Sequence, residues 1–149
     1  MAYYPDLSFY QYGNSKAWPD VVNVGWLDSV QNYPQGSVSQ AFIERLWILC
    51  RRRIMTMRGF HVCEFCDMPR DKVPTVQRGE EILSLGFAEI RVFSRSSRVY
   101  AAPNLIYHYV VEHHYQPPEE FIQAVLECPL PGSSEYESFL QQHGGEYGR

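Results

Sequence analysis

The sequence predicts an α+β fold: a small, zinc-stapled single domain with a short antiparallel sheet and about three helices. Three observations carry that reading. Two β-rich stretches, FAEIRVFS and RVYAA, face each other across a polar SRSS turn. Two segments, one after Ser37 and one after Pro103, repeat apolar residues at helical spacing. A Cys-x-x-Cys pair at Cys63 and Cys66 is followed further along by His108 and His113.

The chain of 149 residues fits one domain, since domains cluster near roughly 100–150 residues. It is long enough for a real core, so a metal would add to stability without being its only source. Apolar residues are 45% and aromatics 15%, which excludes a disordered chain. The expected organisation is an irregular N-terminal arm over 1–20, a zinc-stapled α+β domain over 21–128 and a polar C-terminal tail over 129–149.

Elements follow in order. Val21 to Leu27 is rich in β-branched and aromatic residues and reads as a strand, and Asn32 to Gly36 is turn chemistry. Ser37 and Gln40 have capping-box spacing at the head of the first helix. Phe42, Ile43, Leu46, Trp47, Leu49 and Cys50 form its apolar face, and Arg51–Arg53 complement the dipole in its last turn. Asp67 to Arg78, with Pro69 and Pro74, reads as a loop. In FAEIRVFS, Ala88, Ile90 and Val92 alternate with Glu89, Arg91 and Phe93, leaving one imperfect face.

Pro103 suits the first turn of a helix running through Leu105, Ile106, Tyr109 and Val110 to about His113. Pro117 and Pro118 stop it, and Pro118 opens another with Glu119 and Glu120 in its first turn and Phe121, Ile122, Val125 and Leu126 on its buried side. Tyr136 to Gln142 has the makings of a further short helix, ahead of a loose GGEYGR end.

Zinc takes thiolate and imidazole ligands, and structural sites close with four of them. Cys63 and Cys66 supply two from one tight turn, with Gly59 upstream to admit a sharp entry. His108 and His113 are the proposed partners. Being five apart, they stand about 140° from each other on a regular helix, so the last turn must tighten or fray for both to reach one ion. His61 and His114 are competitors, and the bland alternative is a core His108 with solvated His113 and His114. Cys50 and Cys128 read as plain buried thiols. A redox pair is disfavoured because Glu64 and Phe65 lack the character of thioredoxin-like sites. A catalytic zinc is disfavoured because no proline precedes the cysteines and the order of a deaminase motif is missing.

The strings VGWLD, FIERLWILC, RGFHVCEFC, AEIRV, YAAPNLIYHYVVEHHY and PPEEFIQAV together resemble a family of small uncharacterised bacterial proteins, over roughly Val24 to Leu126. The resemblance implies Cys63, Cys66, His108 and His113 as matching positions, favours His113 over His114, and implies no activity.

Formal net charge is −4 and the pI about 5.7, which argues against a phosphate-backbone binder. The exception is the basic cluster Arg51, Arg52, Arg53 and Arg58. No stretch is apolar for the eighteen or so residues of a membrane span, and the start lacks signal-peptide character, so the chain reads as cytoplasmic. With no catalytic constellation, the expected role is a non-enzymatic protein-interaction domain, immunity- or antitoxin-like, with a basic protein as partner. The tyrosines that suggest an interface equally suit an arm pinned to the core. Nucleic-acid binding through the arginines, or a small zinc hydrolase or deaminase using Glu64 or Glu112, are the alternatives.

Overall fold

The computed structural model describes residues 3–10, 18–54, 62–66 and 74–142. Within them lie six strands and four helices, and the α+β class expected from the sequence is the class observed. Strands β1 (Phe9–Tyr10), β2 (Trp18–Asn23), β5 (Glu89–Phe93) and β6 (Val99–Pro103) form one sheet in the order β1-β2-β6-β5. The β5–β6 hairpin is antiparallel through the SRSS turn, as expected. The sheet as a whole is mixed, because β2 runs parallel to β6. Strands β3 (Thr75–Arg78) and β4 (Glu81–Ser84) form a separate hairpin.

The region before residue 21 contributes β1 and the start of β2 to the sheet, and the region after 128 contributes α4 (Ser134–Gln142), which packs on β5. Tyr136 of α4 donates from its hydroxyl to the Arg91 carbonyl (2.7 Å) and packs edge-on against Phe93. The opposite side of the hairpin meets α3 (Glu119–Glu127), where Tyr100 lies edge-on to Phe121 at 5.6 Å. Helix α1 (Gln40–Arg51) packs against α3, β5 and α2 (Ile106–His113).

Several boundaries differ from expectation. Ser39 caps α1, accepting from the Phe42 N–H at 3.1 Å, so Ser37 stands outside the helix. Gln40 turns forward to Glu44 (3.0 Å) and completes no capping box. Pro103 is the last residue of β6, opposite Glu89, because pairing with β5 persists that far; α2 starts three residues later. The expected loop over 67–78 is corrected at its end, where Thr75–Arg78 pairs with Glu81–Ser84 across Gly79 and Glu80. Gly79, at φ +62°, supplies the left-handed conformation that a two-residue hairpin turn needs. Residues 67–73, Gly59, Phe60 and the GGEYGR end lie outside the described residues.

β2 ends at Asn23, short of the expected Leu27. The chain turns away at Gly25, φ +82°, while Val24, Trp26 and Leu27 remain buried. A Cβ on Gly25 would sit 2.8 Å from the Ile106 side chain at the head of α2. Only glycine allows this approach.

The imperfect face of β5 is the main surprise. Glu89 and Arg91 are both buried, Arg91 completely. Arg91 donates from Nη1 to Glu89 Oε1 (2.8 Å), the Tyr10 hydroxyl donates to the same oxygen (3.0 Å), and the guanidinium lies 4.7 Å from the Tyr10 ring centre. A buried ion pair is costly to desolvate and costlier to break, since removing one member strands the other.

Two outcomes are expected. Gly25→Ala should destabilise the protein by about 2–4 kcal/mol in urea unfolding, from a left-handed alanine plus the overlap with Ile106. A loss below ~0.5 kcal/mol would contradict that packing. Glu89→Ala should cost about 3–5 kcal/mol, whereas Glu89→Leu combined with Arg91→Met should cost far less. Equal losses in the single and double variants would show that the pair is not what holds this face.

Candidate metal centre

The centre is built from two pieces of chain, a turn at 62–66 and the C-terminal half of α2. In the turn, the backbone N–H groups of Phe65 and Cys66 bond to the Cys63 sulfur and favour its thiolate, while burial pushes that thiol up to about 12. Amide dipoles thus favour an anion whose burial disfavours it, and a cation bound there would offset that penalty. The Glu64 carboxylate accepts from Ser29 N–H (3.0 Å) and Ser29 O–H (2.8 Å), tying the turn to the Asp28–Gln31 segment. Asp28 in turn accepts from the N–H groups of Val30 and Gln31.

α2 carries both histidines. The five-residue spacing is accommodated by the way this helix stops. His114 is left-handed (φ 58°), and the N–H groups of His114 and Tyr115 both reach the Tyr109 carbonyl, a Schellman-type ending with bonds longer in sequence than a regular α-turn. The ending is clamped from outside. Tyr33 donates to the His113 carbonyl (3.0 Å), Gly36 N–H donates to the His114 carbonyl (3.0 Å), and Gln116 N–H to the Pro34 carbonyl (2.9 Å). The imidazoles of His108 and His113 then stand 5.0 Å apart, steeply inclined.

The four ligand atoms lie within 4.8 Å of one another, a geometry that could hold a metal ion. Cys66 Sγ is 3.2 Å from Nε2 of His108 and 3.2 Å from Nε2 of His113, and Cys63 Sγ is 3.3 Å from the latter. Tetrahedral zinc bonds would place sulfur and nitrogen about 3.5 Å apart. Hydrogen bonding alone serves this cluster poorly, because one thiol proton of Cys66 faces two ring nitrogens. A cation meets all four lone pairs at once. Burial, with the neighbouring His113 charge, lowers the pKa of His108, and burial lowers that of His113; both are thereby kept in the neutral, ligating form.

Aromatic rings enclose the cluster. Phe65, inside the Cys-x-x-Cys, packs against Tyr33 (5.1 Å), His113 (5.5 Å) and Tyr109 (5.9 Å). Among the described residues the buried Tyr109 hydroxyl meets no hydrogen-bond partner; burial and then the Cys63 sulfur raise its pKa, so it stays a neutral donor. Tyr33, Phe65 and Tyr109 are not site candidates in the sequence. Phe65 and Tyr109 have only their position beside a candidate ligand as a signal, and Tyr33 has none.

The remaining sequence candidates are dispersed. His114 is the helix cap and does not join the cluster. His61 and Arg58 lie outside the described residues. Cys50 is buried in α1, its thiol pushed up by burial; Cys128 is pushed up to about 11 and accepts from the Phe93 N–H (3.4 Å). Arg51 pairs with Glu81 (2.6 Å) and Arg52 with Glu137 (2.9 Å), while Arg53 lies over the Phe87 ring. Glu112 is exposed on α2. Among the described residues no helix is long and apolar enough to cross a membrane.

A family model described as a domain of unknown function (DUF7919) matches residues 2–126. No curated protein and no solved structure matches the chain. The matched stretch takes in both cysteines, both histidines and every strand of the described residues, and the chain therefore belongs to the DUF7919 family.

Proposed function

We propose that Cys63, Cys66, His108 and His113 hold one zinc ion in a closed, structural site, and that the domain so stapled works by binding another protein. The observation that carries the first half is the convergence of two sulfurs and two ring nitrogens within 4.8 Å. Two thiolates and two neutral imidazoles suit zinc better than calcium or magnesium, which take oxygen ligands. Four protein ligands leave no position for an activated water. The bonding of Glu64 to Ser29 supports a structural role, since the acidic residue inside the Cys-x-x-Cys turn is already engaged elsewhere.

The second half rests on surface chemistry. A formal charge of −4 steers the protein toward basic partners and away from phosphate backbones. Val30, 81% exposed, sits in the segment tied to Glu64, and Val111, 38% exposed, sits on α2 between the two histidines. The zinc thus fixes two elements that each present an apolar side chain to solvent. An immunity- or antitoxin-like role, in which a rigid acidic domain covers a basic protein, is the reading these features fit. The arginine cluster favours no second reading, because Arg51 and Arg52 are already paired with carboxylates of the same chain.

Purified protein should contain about one zinc per chain by elemental analysis, as a four-ligand site requires. His108→Ala should lower zinc content and melting temperature together. His114→Gly should keep the zinc, because glycine suits the left-handed cap at least as well. Zinc-free native protein whose stability ignores chelator would end the metal reading, and equal zinc loss in both variants would show the ligand set to be wrong. For the binding role, a partner of net positive charge should co-purify and weaken by roughly tenfold or more as salt shields both surfaces. Zinc-dependent turnover of a small substrate by the isolated chain would replace this reading with an enzymatic one.

A further inference from the structure

A cavity of about 210 Å³ lies between the N-terminal segment and the 27–34 stretch. It is lined by Tyr3, Tyr4, Asp6, Leu27, Asn32, Tyr33 and Pro34. Two of these residues are rigidly placed. Tyr33 is held by its hydrogen bond to the His113 carbonyl (3.0 Å) and by the Phe65 and Tyr115 rings. Tyr4 is packed edge-on against Trp26 at 5.5 Å.

Asp6 is equally fixed. Its Oδ1 accepts from the Gly25 N–H (3.0 Å) and its Oδ2 from the Tyr115 hydroxyl (2.8 Å). Both donors are neutral, and each oxygen keeps a lone pair. No lysine or arginine lines the cavity, and among the described residues no ion pair is formed to Asp6. Among the described residues the carboxylate therefore has no countercharge, and it belongs to a residue of a tyrosine-lined cavity.

We propose that this cavity binds a compact alkylammonium head, a methylated one in preference to a bare amine. Tyrosine faces attract cations through their ring quadrupole, and several rings around one carboxylate define the chemistry that recognises quaternary ammonium. Methylation favours entry because a methylated head is weakly hydrated and loses less on leaving water, while its methyl groups meet the rings and Leu27. Size selects further. The cavity is smaller than the roughly 300–1,000 Å³ of pockets that enclose whole small molecules, so it suits a head group with the remainder outside. The proposal depends neither on the zinc nor on the protein partner proposed above.

The test uses the intact, metal-replete chain titrated with choline and, separately, with its neutral isostere 3,3-dimethylbutan-1-ol, followed by calorimetry and by tyrosine ring NMR shifts. Choline should bind saturably with a dissociation constant on the order of millimolar, and the alcohol far more weakly. Tyr3→Ala should weaken choline binding by roughly three- to tenfold, and Tyr3→Phe should leave it nearly unchanged. Asp6→Asn should weaken it by a similar factor, with melting curves confirming that each variant folds. A trimethyl-lysine peptide binding more tightly than choline would place the head on a partner chain; the reverse order would place it on a free small molecule. Binding of the alcohol as tight as choline, choline binding indifferent to both Tyr3→Ala and Asp6→Asn, or no saturation by about 100 mM would overturn the proposal.

Discussion

The site depends on how α2 ends. Two histidines five residues apart would diverge on a helix that continued regularly, and the long closing bonds to the Tyr109 carbonyl bring them back to one side. That ending is imposed from outside the helix, by Tyr33, Pro34 and Gly36 along a segment paired with residues 114–116. A Cβ on Gly36 would meet the side-chain amide of Gln116, which would have to swing aside from its place over this segment. Ligand geometry is thus written in a turn some eighty residues upstream of the histidines it positions.

The two buried polar assemblies of this domain solve different problems. The Glu89–Arg91 pair lies in a strand buried on both faces, and its charges cancel within the protein, helped by the Tyr10 hydroxyl and ring. Such a pair adds little net stability relative to apolar side chains, but it penalises any register in which the partners separate. The Cys/His cluster is the opposite case. Its sulfurs and nitrogens concentrate lone pairs in a geometry that could hold a metal ion, and an ion bound there would add its binding free energy to folding.

Local signals carried most of the fold, and the failures were non-local. The hairpin of β5 and β6, the body of α1, the stop of α2 at His113 and the start of α3 after Pro118 were legible because apolar period, turn residues and proline act within a few positions. The parallel pairing of β2 with β6 was not, since nothing in either strand encodes its neighbour. Ser37 and Ser39 are equivalent as caps by type, and only the packing of Phe42 chooses between them. Pro103 fits a helix start and a strand end alike, and the β5 partner decides. TVQRGEEILS carried a real hairpin signal in its central glycine, masked by its polarity. At the site, the four residues that the fold brings together were nominated by residue type and spacing. The roles of Tyr33, Glu64 and Phe65 were not, because each depends on what it touches across the fold.

Arg45 offers a last consequence. It extends from α1 to the far end of α3, donating from Nε to the Val125 carbonyl (2.8 Å) and from Nη2 to the Cys128 carbonyl. α3 has no basic residue in its own last turn, so the negative pole of this nine-residue helix is neutralised by a side chain borrowed from another. A helix so short has little stability in isolation. Arg45 therefore adds to the helix's own closing bond, Cys128 N–H to the Ala124 carbonyl, a tie that is present only when α1 is docked. Since α1 also packs on α2, Arg45 adds a polar tie to the apolar packing that connects the histidine-bearing helix with the far end of α3.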